Sequence, residues 1–209
     1  ESTATLVIGP SLFKAADILH KRTAVPDYRF AGLMGLDDCD DFTQALAEIS
    51  GKPVPEKIER HRAQLQDAMV DCHFMAGFAR IALAADPDLL GMQVRYLTGM
   101  GAEIVSAVSP HKHDSLASLP IPKVIIGDLE DMEKEARAAD AQLVIANSHA
   151  VETAHRLGLP LLRAGAVRAA TALVKRASSP AASAGAPSEM PRKRSSSPAS
   201  SALAKSDST

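Results

Sequence analysis

Apolar and polar positions along this chain change period repeatedly, and each change marks an element. Residues 5–8 (Thr5-Leu6-Val7-Ile8) form a short apolar run stopped by Gly9-Pro10, which predicts a buried strand. Ser11 stands at an N-cap position before a helical pattern through Leu12, Ala15, Ala16 and Leu19. Residues 25–35, with Pro26 and two glycines, read as a connection. Asp37 and Asp38 open a second helix over 37–50, because negative charge favours a helix N-terminus, and Gly51-Lys52-Pro53 ends it. A longer helix follows Pro55, with Ile58, Leu65, Met69 and Cys72 spaced to share one face.

From residue 79 the elements alternate strictly. Strands are expected at 81–84, 102–108, 124–126 and 143–145, with a last one from 161. Between them, Asp86-Pro87 opens a helix through Leu89, Leu90, Val94 and Leu97, closed by Gly99 or Gly101. A polar loop spans 109–122. Gly127-Asp128 opens a helix with acidic residues early and Arg137 late, and a short helix fills 150–157. Repeated strand–helix–strand units with short loops predict an α/β fold with a doubly wound, Rossmann-like parallel sheet. The organisation expected is a strand plus helical connecting segment over 1–78, the α/β domain over 79–165, and a tail over 166–209.

Composition sharpens this division. The apolar content is 46%, mostly Ala, Leu, Ile and Val, with 3% aromatics and no Trp, a palette suited to helices on a buried parallel sheet. Residues 1–165 carry 16 Lys and Arg against 23 Asp and Glu; residues 166–209 carry 7 against 2. The tail, rich in Ala, Ser and Pro with Arg192-Lys193-Arg194, lacks the apolar surface to offset the entropy of ordering, so disorder is expected there. Its basic clusters have no interleaved aromatics, and no nucleic-acid partner is expected. Cys39 and Cys72 cannot build a disulfide framework and suit a reducing cytoplasm. No apolar run is long enough to cross a bilayer, so no membrane partner is expected. A start at Glu1 with a strand almost at once suggests a piece of a longer chain.

Candidate chemistry is sparse. Gly99-Met100-Gly101-Ala102-Glu103 follows a helix and precedes a strand, the reverse of a dinucleotide loop, so capping is the expectation. Asp71-Cys72-His73 groups metal-capable side chains, but helical neighbours point about 100° apart, and an iron–sulfur cluster normally takes four thiolates where this chain has two. Cys39, Cys72 and His73 are therefore expected to bind no metal. His111-Lys112-His113 reads as a solvated loop. Asn147-Ser148-His149 follows a strand at the carboxyl edge, where open α/β sheets place ligands. It is the best local candidate for a functional contact, with helix capping by Asn147 or Ser148 as the simpler account. Ser148 beside His149 is no triad, because neighbours do not present nucleophile and base to each other. No catalytic, cofactor-binding or metal site is assigned within the chain.

Several segments together carry a resemblance. They are Asp27-Tyr28-Arg29-Phe30, Gly35-Leu36, residues 47–55 (AEISGKPVP), residues 60–67 (RHRAQLQD), Asp71-Cys72-His73-Phe74, Ala85-Asp86-Pro87-Asp88, Gly101-Ala102-Glu103, Ile126-Gly127-Asp128-Leu129, Asn147-Ser148-His149 and residues 160–165 (PLLRAG). In this order, over about residues 3–165, the chain resembles the nitrogenase component 1 superfamily. Within it, the chain is most similar to the N-type subunits of iron–molybdenum cofactor scaffolds. The catalytic β subunits typically carry a Trp after the segment that here reads Asp71-Cys72-His73-Phe74-Met75-Ala76-Gly77.

The resemblance implies a nitrogenase-type α/β domain acting in nitrogen fixation, without independent enzyme activity. It implies an α2β2 heterotetramer with an E-type scaffold subunit, and transient contact with the iron protein of nitrogenase. The family complex carries a shared [4Fe–4S] cluster and an iron–molybdenum cofactor precursor. The cluster cysteine of N-type subunits lies in a front part that this chain lacks, so the chain alone is expected to bind neither. The alternatives are the β subunit of a nitrogenase-like oxidoreductase (nitrogenase or dark-operative protochlorophyllide reductase) and a free-standing small-molecule binder using the Asn147–His149 edge. After Gly165 the family continues with a Phe-Pro turn and a helix, whereas this chain shifts to Ala, Ser, Pro and Arg, as a frameshifted or divergent end would.

Overall fold

The computed structural model describes residues 2–164. The expected disordered tail over 166–209 lies outside them. The chain opens with a strand–helix–strand unit: β1 (Thr5–Ile8), α1 (Phe13–Thr23) and β2 (Asp27–Phe30), with β1 and β2 paired in parallel. The second strand corrects the reading of 25–35 as a plain connection. Asp27-Tyr28-Arg29-Phe30 has no apolar run or clean alternation; its strand is held by pairing with β1, and Arg29 is fixed by ion pairs to Asp27 and Asp17. Ser11 is also corrected. It lies in a 3-10 turn, Pro10–Leu12, and its hydroxyl bonds Asp88 rather than capping α1.

Two helices follow, α2 (Leu36–Ser50) and α3 (Glu56–Ala76), joined across their faces by an ion pair between Arg62 and Asp40 at 2.6 Å. The apolar stripe of α3 is buried only at its C-terminal end. Cys72 is in the core and Met69 packs against it, whereas Ile58 and Leu65 line an open cleft against α2.

The second sheet has five parallel strands: β3 (Arg80–Ala84), β4 (Glu103–Ser109), β5 (Ile125–Ile126), β6 (Leu143–Ala146) and β7 (Leu161–Arg163). Their order across the sheet is β5-β4-β3-β6-β7, so the chain reverses direction of travel between β3 and β6. Helix α4 (Pro87–Gly99) covers one face, where its Leu90, Val94 and Leu97 meet Leu83, Ile145 and Leu162. Helices α5 (Leu129–Ala138) and α6 (Val151–Leu157) cover the other, where Met132, Ala136 and Ala154 meet Ala82, Val108 and Val144. Burying each large side chain of this double core contributes roughly 1.5–3 kcal/mol before entropy is subtracted. The doubly wound α/β architecture is as expected. Among the described residues, no helix is long and apolar enough to cross a membrane.

Candidate functional site

In a parallel sheet wound in both directions, the loops leaving the two strands at the reversal point part to opposite faces and leave a crevice at their carboxyl ends. Here that crevice is a cavity of about 490 Å3, bordered by residues at the carboxyl ends of all five strands. Its apolar floor includes Ala84, Val108, Leu129 and Ala164, and its polar rim is Asp86, Asp128, Asn147 and His149.

Each rim residue is placed by a helix start. Asp86 is the N-cap of α4, with Pro87 next, but its carboxylate makes no capping hydrogen bond. Asp128 caps α5 with a full capping box. Its Oδ1 accepts the N–H groups of Glu130 at 2.8 Å and Asp131 at 3.2 Å, while Asp131 accepts the N–H of Asp128. Asn147 Oδ1 accepts the N–H of His149 at 2.9 Å and starts the 3-10 turn Ser148–Ala150 that leads into α6. Of the two accounts of Asn147-Ser148-His149, capping is the one observed: Asn147 caps the turn, and Asn147 and His149 also border the crevice. Asp86 and Asp128 at the same rim follow from sheet order, which a linear reading of capping signals does not provide.

Among the described residues, the rim carries two carboxylates and no Lys or Arg, and no glycine-rich turn joins a strand to a helix there. It is therefore not a phosphate cradle of the dinucleotide type, which needs clustered N–H donors and positive potential.

The remaining candidates are dispersed. Gly99 closes α4 and Gly101, at φ +82°, leads into β4, so this pair ends a helix. Cys72 is buried in the core beneath α4, while His73 next to it is exposed. Cys39, on α2, directs its thiol to the carbonyl of Leu33 at 3.6 Å, and burial together with Asp38 and Asp40 pushes that thiol above its usual pKa. A raised pKa opposes the thiolate that metal ligation needs. Among the described residues no three His, Cys, Asp or Glu side chains converge as a metal site. Cys39, Cys72 and His73 do not fit an iron–sulfur cluster. His113 uses Nδ1 to accept the N–H of Ser115 at 3.2 Å, capping the 3-10 turn Asp114–Ser118. His111 and Lys112 are exposed in the loop, as expected.

Comparison with known proteins matches residues 1–170 to the family model described as nitrogenase component 1 type oxidoreductase. The chain is similar to the nitrogenase iron-molybdenum cofactor biosynthesis protein NifN of Nostoc sp., 46% identical over 164 residues, covering 78% of this chain and 36% of that protein. Against the NifN of Klebsiella pneumoniae it is 42% identical over 165 residues, covering 79% of this chain and 36% of that protein. The chain therefore spans about a third of the length of these curated relatives. Among solved structures it superposes on nitrogenase Cp1 at pH 6.5 with a TM-score of 0.74 and 25% identity, covering 83% of this chain and 44% of that one.

Proposed function

The chain belongs to the nitrogenase component 1 type oxidoreductase family, and from that premise we propose that it is the α/β body of an N-type scaffold subunit for the iron–molybdenum cofactor. The observation carrying this reading is the 46% and 42% identity, over more than three quarters of the chain, to proteins named for biosynthesis of that cofactor. The likeness to a nitrogenase itself is looser, at 25% identity.

The proposed partner is an E-type scaffold subunit, in an α2β2 heterotetramer that meets the nitrogenase iron protein transiently in the cytoplasm. In that assembly this region supplies shape and surface rather than metal ligands. Its donor set supports the reading: one thiol lies in the core, and the other is turned to a backbone carbonyl with its pKa raised. The [4Fe–4S] cluster and the cofactor precursor are then held by other parts of the complex, and this body has no turnover of its own.

The test is to extend this chain with the front part of its relatives and co-express it anaerobically with an E-type subunit. Co-purification of the pair, and transfer of a matured cofactor to cofactor-free nitrogenase, are the expected results. Failure to associate overturns the reading. Pairing instead with a nitrogenase α subunit, with substrate reduction by the pair, moves the chain to the catalytic β branch.

A further inference from the structure

A second cavity, of about 230 Å3, lies at the amino ends of β3, β4 and β5, under the C-terminal half of α5. It is separate from the crevice at the carboxyl edge and shares none of its lining residues. Two of its lining residues carry a buried polar atom with no hydrogen-bond partner among the described residues: Arg80 at Nε and Ser106 at Oγ. Ser106 is 4% exposed. An irregularity in the β3–β4 pairing sets Ser106 opposite Ala82, whose side chain belongs to the core under α5, so Ser106 faces the same way.

The charged groups around the cavity are Arg80, Lys123, Glu103 and Glu135. Lys123 Nζ is held by both oxygens of Glu135, at 3.1 and 3.2 Å. Arg80 Nε stands 3.7 Å from Glu103 Oε2, close enough for charge attraction but not for a hydrogen bond. Glu103 is 63% exposed, so its carboxylate keeps much of its hydration and does not satisfy the buried Nε. Neither carboxylate accepts a hydrogen bond from Arg80 Nε or Ser106 Oγ. Arg Nε is donor-only, and a serine hydroxyl turns its proton toward whatever accepts it.

We propose that this cavity is a binding site for a small oxyanion, a carboxylate or a phosphate, whose oxygens accept from Arg80 Nε and Ser106 Oγ beside the Lys123 ammonium. Charge-assisted bonds of this kind are the stronger class of hydrogen bond, and an arginine with a free donor edge suits carboxylate and phosphate equally. The ligand is small, because the cavity has about half the volume of the crevice.

The experiment uses the full chain, titrated separately with inorganic phosphate and with succinate, against chloride at matched ionic strength. A saturable rise in melting temperature with one of the two, absent with chloride, is expected, since a ligand that binds the native state stabilises it by mass action. Ser106→Ala and Arg80→Gln should each weaken the apparent affinity by about tenfold, the effect of losing one ordinary charge-assisted hydrogen bond. Where a variant folds poorly, the Arg80 Nε–H cross-peak of the unmodified protein serves instead, and it should move with ligand and saturate. The phosphate and succinate arms distinguish the two sources of oxyanion. No saturable response to either, an unmoved Arg80 resonance, or responses that survive both substitutions overturn the proposal and leave the cavity to water.

Discussion

Asp88, in the first turn of α4, takes two hydrogen bonds from Ser11: the backbone N–H reaches Oδ1 at 3.1 Å and the hydroxyl reaches Oδ2. These residues are 77 positions apart, and their contact joins the β1–α1–β2 unit to the five-stranded domain. Further along α4, Met92 lies over Gly32, Arg95 donates to the carbonyl of Ala31 at 3.3 Å, and Tyr96 packs against Gly35. Residues 88, 92, 95 and 96 form one stripe at helical spacing. Helix α4 therefore packs on the five-stranded sheet and also meets the first unit.

That contact makes a testable demand at Gly9. Its φ is +105°, and a Cβ built there would overlap the Asp88 carboxylate. Gly9→Ala should destabilise the protein by about 2 kcal/mol or more through backbone strain and displacement of Asp88, and Asp88→Ala by about 1–3 kcal/mol through loss of its hydrogen bonds. The double variant should fall short of additivity by at least about 0.5 kcal/mol, because removing Asp88 relieves the overlap while leaving the φ strain. Urea unfolding of the four proteins measures this. Strict additivity would mean the two sites do not interact.

The double winding of 80–163 is legible because its apolar runs, helix caps and Gly/Pro stops all agree. Asp128 illustrates this: it reads as a helix start and forms a capping box. The first unit was less legible. β2 reads Asp-Tyr-Arg-Phe, and its strand conformation rests on pairing with β1, a long-range event that leaves no local period. Ser11 carries an N-cap signal, but its hydroxyl is taken by Asp88, which no local rule foresees. The site divides in the same way. Asn147 and His149 stand out by following a strand, whereas Asp86 and Asp128 join them only through the order β5-β4-β3-β6.

Gln93 on α4 is 2% exposed, and neither end of its amide has a partner among the described residues. A buried amide without hydrogen bonds costs about 1–3 kcal/mol, while Met has nearly the same length and no such requirement. Gln93→Met should therefore raise stability by about 1–2 kcal/mol. Denaturant unfolding decides it; a loss of stability would show that ordered water or another polar group satisfies the amide.

Glu133 ties α5 to α6. It accepts from Arg156 Nε at 2.8 Å and from Arg137 at 3.0 Å, and the Arg156 hydrogen bond is the main cause holding its carboxyl below the usual range. A carboxylate with a depressed folded pKa contributes stability that is present above its unfolded pKa of about 4.3. That contribution is lost as pH falls through the folded value. Unfolding curves for the unmodified protein and Glu133→Gln should therefore differ by a constant amount from neutrality down to about pH 5 and converge in more acid solution. A difference that stays constant through the acid range would separate Glu133 from this linkage.

Phe78 sits in the turn between α3 and β3 with φ +64° and is 91% exposed, while its N–H donates to the carbonyl of Gly101 at 2.8 Å. A left-handed conformation costs an L-residue with a Cβ about 1–2 kcal/mol, and here little side-chain burial offsets it. Glycine removes that cost and returns part of the gain as greater freedom in the unfolded chain. Phe78→Gly should thus stabilise the protein by about 0.5–1 kcal/mol, whereas Phe78→Ala, which keeps the Cβ and loses the ring, should stay within about 0.5 kcal/mol of the unmodified chain. Only the pair of variants separates backbone from ring. If both destabilise equally, the ring rather than the backbone governs this turn, and Phe78 has apolar contacts in solution that its exposure does not show.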